Sequence, residues 1–121
     1  FRSAVIDHCI KPFFSNVHVK EFSDGNEAYE HIKNELRTNF RIDLIITDIN
    51  HPGQKGQDLV KSIRFQEELS GNSNRIPIMI LSMVEETRYP ELTADKLVDR
   101  YLTKATEPEE IIDCMEEILY I

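Results

Sequence analysis

The sequence predicts an α/β domain built as a doubly wound parallel sheet, and two observations carry that reading. Apolar runs alternate with helix-length segments, and three of the runs end on reactive side chains: Leu44-Ile45-Ile46-Thr47 on Asp48, Ile78-Met79-Ile80-Leu81 on Ser82, and Arg100-Tyr101-Leu102-Thr103 on Lys104. Continuous aliphatic runs fit strands buried on both faces, and the alternation favours parallel strands joined by helical crossovers. Ligands of such sheets bind just beyond the carboxyl ends of the strands. A carboxylate, a hydroxyl and an ammonium would therefore meet on one edge.

Element by element, Phe1, Val5, Cys9 and Phe13 recur every fourth residue and predict an opening helix that ends around Pro12 to Asn16. Val17 to Phe22 reads as a strand. Ser23-Asp24-Gly25-Asn26 is a turn with side-chain acceptors for a helix start, and Ala28, Ile32 and Leu36 continue that helix. Ile42 to Asp48 is the next strand, followed by the loop His51-Pro52-Gly53-Gln54-Lys55-Gly56 and a helix with the apolar stripe Leu59, Val60, Ile63.

Ser70-Gly71-Asn72-Ser73-Asn74 is a polar connection to the strand Ile76 to Leu81. Glu85 to Val98 is the weakest helical segment, because Pro90 interrupts it. After Lys104, Thr106-Glu107-Pro108-Glu109 supplies a capping threonine, a Pro in the first turn and a Glu at the third helical position. Ile111, Ile112, Met115, Ile118 and Leu119 form the stripe of the last helix.

Four strands and five helices leave the opening helix with no strand feeding it, so the first strand is expected to be missing from this chain, upstream of Phe1. An alternative takes Ser3 to Ile6 as that strand, ending at Asp7-His8. It leaves about ten residues for the crossover, near the ~10–12 minimum of a βαβ connection. The helical reading is the preferred one.

A length of 121 residues with 40% hydrophobic content supports one domain spanning 1–121 rather than two. The net charge of -8 argues against direct nucleic-acid binding, which needs a basic surface. No run approaches the roughly 20 apolar residues of a membrane span, which points to a cytoplasmic protein with no membrane partner. Cys9 and Cys114 read as small apolar residues on helix faces, and His8, His18, His31 and His51 lack zinc-ligand spacing.

The ordered set at the strand ends resembles the receiver (phosphoacceptor) domain of two-component response regulators, over nearly the whole chain. The residues that carry the resemblance are Asp48, Pro52 four residues on and Gly56 four further, then Ser82, Lys104, and Tyr101 three residues before that lysine. Asp24-Gly25 with Ala28 looks like the family's turn into its second helix. The resemblance implies a flavodoxin-like receiver fold and a signalling switch rather than an enzyme.

On this resemblance Asp48 is the phosphoacceptor, served by a sensor histidine kinase or phosphotransfer protein. Mg²⁺ would be held by Asp48 and the backbone carbonyl of Asn50, Lys104 would offset the anion, and Ser82 would donate a hydrogen bond to the phosphoryl group. Tyr101 would turn toward the space Ser82 vacates. That motion would alter the face the family builds from its fourth helix, fifth strand and fifth helix, where a downstream output domain or protein would dock. As an aromatic on a strand, Tyr101 reads equally well as core packing.

The chain departs from the family in three places. The metal site also takes two acidic residues from the end of the first strand; the preferred reading supplies neither and the alternative only Asp7. Met83 stands after Ser82 where a small residue is usual, and Ala105 stands where Pro usually follows the lysine. Two other functions are therefore weighed: a degenerate receiver that binds partners without phosphorylation, and an aspartate-nucleophile phosphatase of the haloacid dehalogenase type. The latter wants a second Asp where Asn50 stands.

Overall fold

A computed structural model describes residues 20–38, 42–49, 53, 55–71, 75–83, 90–94, 96–103 and 106–120. Within them the elements run α1 (Gly25–Arg37), β1 (Ile45–Thr47), α2 (Gly56–Ser70), β2 (Ile78–Ser82), α3 (Pro90–Ala94), β3 (Arg100–Thr103) and α4 (Pro108–Tyr120). The predicted opening helix, Asp7-His8 and the alternative strand Ser3 to Ile6 lie outside the described residues, as do residues 17–19 of the expected Val17 to Phe22 strand; Lys20 to Phe22 are described and carry no strand.

The three described strands are parallel and adjacent in the order β1-β2-β3. Ile45, Ile46 and Thr47 lie beside Ile78, Met79 and Ile80, and Met79 to Ser82 lie beside Arg100 to Thr103. Successive side chains of a strand point to opposite faces, so each aliphatic run serves two cores at once. Ile45, Ile78, Ile80 and Tyr101 face a core completed by Ile32 and Leu36 of α1, Leu59, Val60 and Ile63 of α2, and Leu92 of α3. Ile46, Met79, Leu81 and Leu102 face the other, closed by Ile111, Ile112 and Met115 of α4.

Helices on both faces of a parallel sheet make the doubly wound architecture, as the sequence predicts. All five residues of β2 are fully buried. At about 1.5–3 kcal/mol for each large aliphatic side chain, this central strand is the main apolar contribution to the sheet. Half-buried Cys114 packs against the α4 core as a small apolar residue.

The helix ends follow local chemistry. Asp24 caps α1 as expected, its Oδ1 accepting from the amides of Asn26 at 2.7 Å and Glu27 at 3.4 Å. Of the segment Glu85 to Val98, Pro90–Ala94 is helical and Lys96 to Val98 is not, Lys96 having φ 55, while residues 85–89 lie outside the described residues. The last helix begins one residue later than expected: the Glu107 carbonyl accepts from Ile111 N at 3.2 Å, so Glu107 rather than Thr106 occupies the cap and Pro108 opens the helix. The strand of residues 42–48 is regular only over Ile45–Thr47, and β2 begins after Pro77, whose carbonyl accepts from Ile45 N at 2.9 Å.

The amino end of the sheet is held by a charged group on α2 in addition to the apolar contacts of Ile76 and Val98. Arg64 donates through Nε to the Leu97 carbonyl at 2.9 Å, and through one terminal nitrogen to the Ile76 carbonyl and Glu67 Oε1, both at 2.8 Å. Glu67 Oε2 in turn accepts from Ile76 N at 2.6 Å. Asp99 completes the set, bonding Ile78 through its backbone N and its carboxylate, each at 2.8 Å. One arginine thus fixes α2, the entry to β2 and the connection from α3 to β3.

Candidate functional site

At the carboxyl edge of the sheet, β1 stops at Thr47, opposite Ile80, and Asp48 follows at once. The central strand runs two residues further and ends on Ser82, opposite Thr103 of β3. The half-buried Asp48 carboxylate and the fully buried Ser82 therefore stand at the ends of adjacent strands, as the sequence predicts. Asp48 Oδ1 accepts from Ile49 N at 2.6 Å, which fixes the carboxyl group against its own backbone. Ile49 beside it is fully buried and anchors the strand end in the core.

The loop beyond Asp48 is pinned where it returns to α2. Gly56 N donates to the Ile49 carbonyl at 2.9 Å. A side chain at Gly56 would drive its Cβ against the Asp48 carbonyl oxygen and to 2.8 Å from Ile49 Cα. The glycine predicted eight residues after the acceptor is thus required by close backbone approach. Gly53 in the same loop has φ +77, a conformation glycine adopts without steric cost.

Ser82 and Tyr101 share a face of the sheet. Tyr101 lies beside Ile80 and two residues before Thr103, the neighbour of Ser82, so strand alternation directs both side chains to the core shared with α1, α2 and α3. Tyr101 is half-buried and packs against that core. Packing is thus one of its roles. Met83, next after Ser82, is 76% exposed and leaves the strand at the site edge.

Asn50, Pro52, His51, Lys104 and Ala105 lie outside the described residues; β3 brings Thr103, the residue before Lys104, to the side of Ser82. Among the described residues no group of three or more His, Cys, Asp or Glu is placed to hold a metal ion. The donors assigned from sequence, a carboxylate and a backbone carbonyl, are the oxygen ligands a hard divalent cation takes. Sequence reasoning missed the approach of Gly53 to Asp24, although an Asn-free Pro-Gly step in a loop is a signal for positive φ. It also missed Arg64 and Glu67, whose i,i+3 spacing reads as an ordinary surface pair.

Comparison with known proteins agrees with this fold. The family model for the response regulator receiver domain matches residues 4–116. The chain is 30% identical over 96 residues to the uncharacterized transcriptional regulatory protein YesN of Bacillus subtilis, covering 79% of this chain and 23% of that protein. Among solved structures it is similar to the REC domain of AraT, a response regulator from Geobacillus stearothermophilus, with 25% identity, a TM-score of 0.68, and coverage of 97% of this chain and 82% of that one. The chemotaxis protein CheY4 of Vibrio cholerae shares the fold at 24% identity and a TM-score of 0.68, with 98% and 88% covered.

Proposed function

The chain belongs to the family of response regulator receiver domains, and on that premise we propose that it is a phosphorylation-controlled switch that accepts a phosphoryl group on Asp48. The observation that carries the reading is the placement of Asp48 at the end of β1, directly beside the central strand that ends on buried Ser82. The donor is a phosphohistidine of a sensor kinase or phosphotransfer protein. A carboxylate oxygen of Asp48 forms the new bond to phosphorus, the bond from phosphorus to the donor's imidazole nitrogen breaks, and its electron pair leaves on that ring. Such transfer is chiefly a matter of positioning and charge neutralisation.

Asp48 starts in position because Ile49 N holds one of its oxygens and Gly56 locks the backbone behind it. Lys104 offsets the phosphoryl charge as a compact cation. Mg²⁺, held by Asp48 and the Asn50 carbonyl, and by Asp7 if Ser3 to Ile6 is the first strand, would supply further neutralisation when bound. The added group carries about -1.5 to -2 charge. A hydrogen bond from Ser82 draws the β2 end toward it and frees space on the face shared with Tyr101, which biases the surface of α3, β3 and α4 toward one of two packings. An output domain or protein reads that surface, in the cytoplasm.

The test is to incubate the protein with acetyl phosphate and Mg²⁺ and follow its intact mass. The gain of one phosphoryl group, abolished in Asp48→Asn, is expected. A folded protein that gains none is instead a phosphorylation-independent interaction module, and multiple-turnover release of phosphate identifies a phosphatase. Met83→Ala is expected to shorten the lifetime of the aspartyl phosphate, because the thioether chain at the site edge screens it from water. A decay rate in that variant equal to or slower than wild type contradicts the screening role.

A further inference from the structure

Resting on that reading, we infer that Asp24, the cap of α1, is also a positioning residue for the loop that carries the chain away from Asp48. The observation is the contact between Asp24 and Gly53. A Cβ built on Gly53 would run into Asp24 Oδ1, and would stand 2.8 Å from Asp24 Cγ and 3.0 Å from Oδ2. The bare α-carbon of Gly53 therefore sits against the face of the carboxylate. The carboxylate is itself held, because its Oδ1 accepts from Asn26 N and Glu27 N at the start of α1.

The wall that Gly53 meets is thus the fixed end of a capped helix rather than a loose side chain. From Gly53 the loop passes to Gly56, whose amide bonds the Ile49 carbonyl and whose α-carbon abuts the Asp48 backbone. Among the described residues the loop is seated at Asp24 and at the Asp48–Ile49 backbone. Removing the first weakens the seating on which the acceptor's setting depends. Short-range contacts that constrain a loop in this way set how accurately a reacting group is presented, and small displacements are costly in rate. Asp24 acts through Gly53 and touches no reacting atom in this scheme.

A double-mutant cycle separates this contact from other costs. Gly53→Ala carries two penalties, one from placing a side chain at φ +77 and one from the collision with Asp24. The first is the same whatever stands at position 24. Asp24→Gly removes the colliding atoms while keeping an acceptable cap residue, and Asp24→Asn keeps both size and cap without the charge. The primary readout is hydrogen exchange of the Gly56 amide, which requires no phosphorylation.

Gly53→Ala is expected to speed that exchange about tenfold or more alone and in the Asp24→Asn background, and by less than about threefold in the Asp24→Gly background. Phosphoryl uptake from acetyl phosphate is expected to follow the same order, with melting temperature recorded for each variant as a check on folding. An equal effect of Gly53→Ala in all three backgrounds overturns the inference. A wild-type protein that takes up no phosphoryl group while the exchange pattern holds refutes the proposed function and leaves the seating of the loop intact.

Discussion

Arg64→Met is expected to destabilise the domain by about 3–5 kcal/mol, the loss typical when one partner of a buried ion pair is removed. The side chains of Arg64 and Glu67 are only 12% and 8% exposed, so the pair is not the solvent-screened kind that contributes little. Methionine restores most of the volume but leaves Glu67 Oε1 without its cation, and the Leu97 and Ile76 carbonyls without a donor they now use. The measurement is urea denaturation. A second variant, Arg64→Met with Glu67→Gln, should recover part of the loss because the buried charge is gone while Ile76 N keeps an acceptor. A loss below about 1 kcal/mol in the single variant would mean that water reaches the pair.

Gly56→Ala is expected to damage both stability and the site. Helix propensity alone would favour alanine, by less than the ~1 kcal/mol of a helix interior because Gly56 is the first residue of α2, so local preference and close approach predict opposite signs. Close approach prevails, because the atoms a Cβ would meet are backbone atoms of Asp48 and Ile49, which have no rotamer to change. Overpacking of this kind costs about 1–3 kcal/mol, and a displacement of about 1 Å at a reacting group can lower rate by about 10²-fold. The expected result is a lower denaturation midpoint together with a phosphoryl uptake rate reduced about a hundredfold. An alanine variant more stable than wild type would show that the glycine is dispensable.

The parts of the fold legible in the sequence are those where one residue type has one physical use. Continuous aliphatic runs marked the strands because only a sheet covered on both faces buries every side chain, and Ile78 to Leu81 do so completely. Asp24 was legible as a cap because a carboxylate before a helical stripe has a defined acceptor role, and Asp48 and Ser82 because polar residues that end apolar runs fall at one sheet edge. Gly56 was legible only through the family's spacing; the reason for it, the Asp48 carbonyl, is a contact between backbone segments.

What stayed hidden depends on tertiary placement. Pro90 reads as a helix breaker in a linear scan, yet it is part of the described helix α3. Arg64 and Glu67 carry the appearance of a solvated pair, and only the packing of α2 over the entry to β2 buries them. Gly53 could be expected to turn, but not to rest against Asp24, twenty-nine residues earlier by the numbering of the chain.

The most direct measurement of the central claim is chemical localisation of the phosphoryl group. The protein is phosphorylated with acetyl phosphate and Mg²⁺, reduced with borohydride, which converts an aspartyl phosphate to homoserine, and mapped by peptide mass. Homoserine at position 48 is the predicted result. Reduction at another carboxylate, or at none in a folded protein, would contradict the assignment of Asp48 as the acceptor.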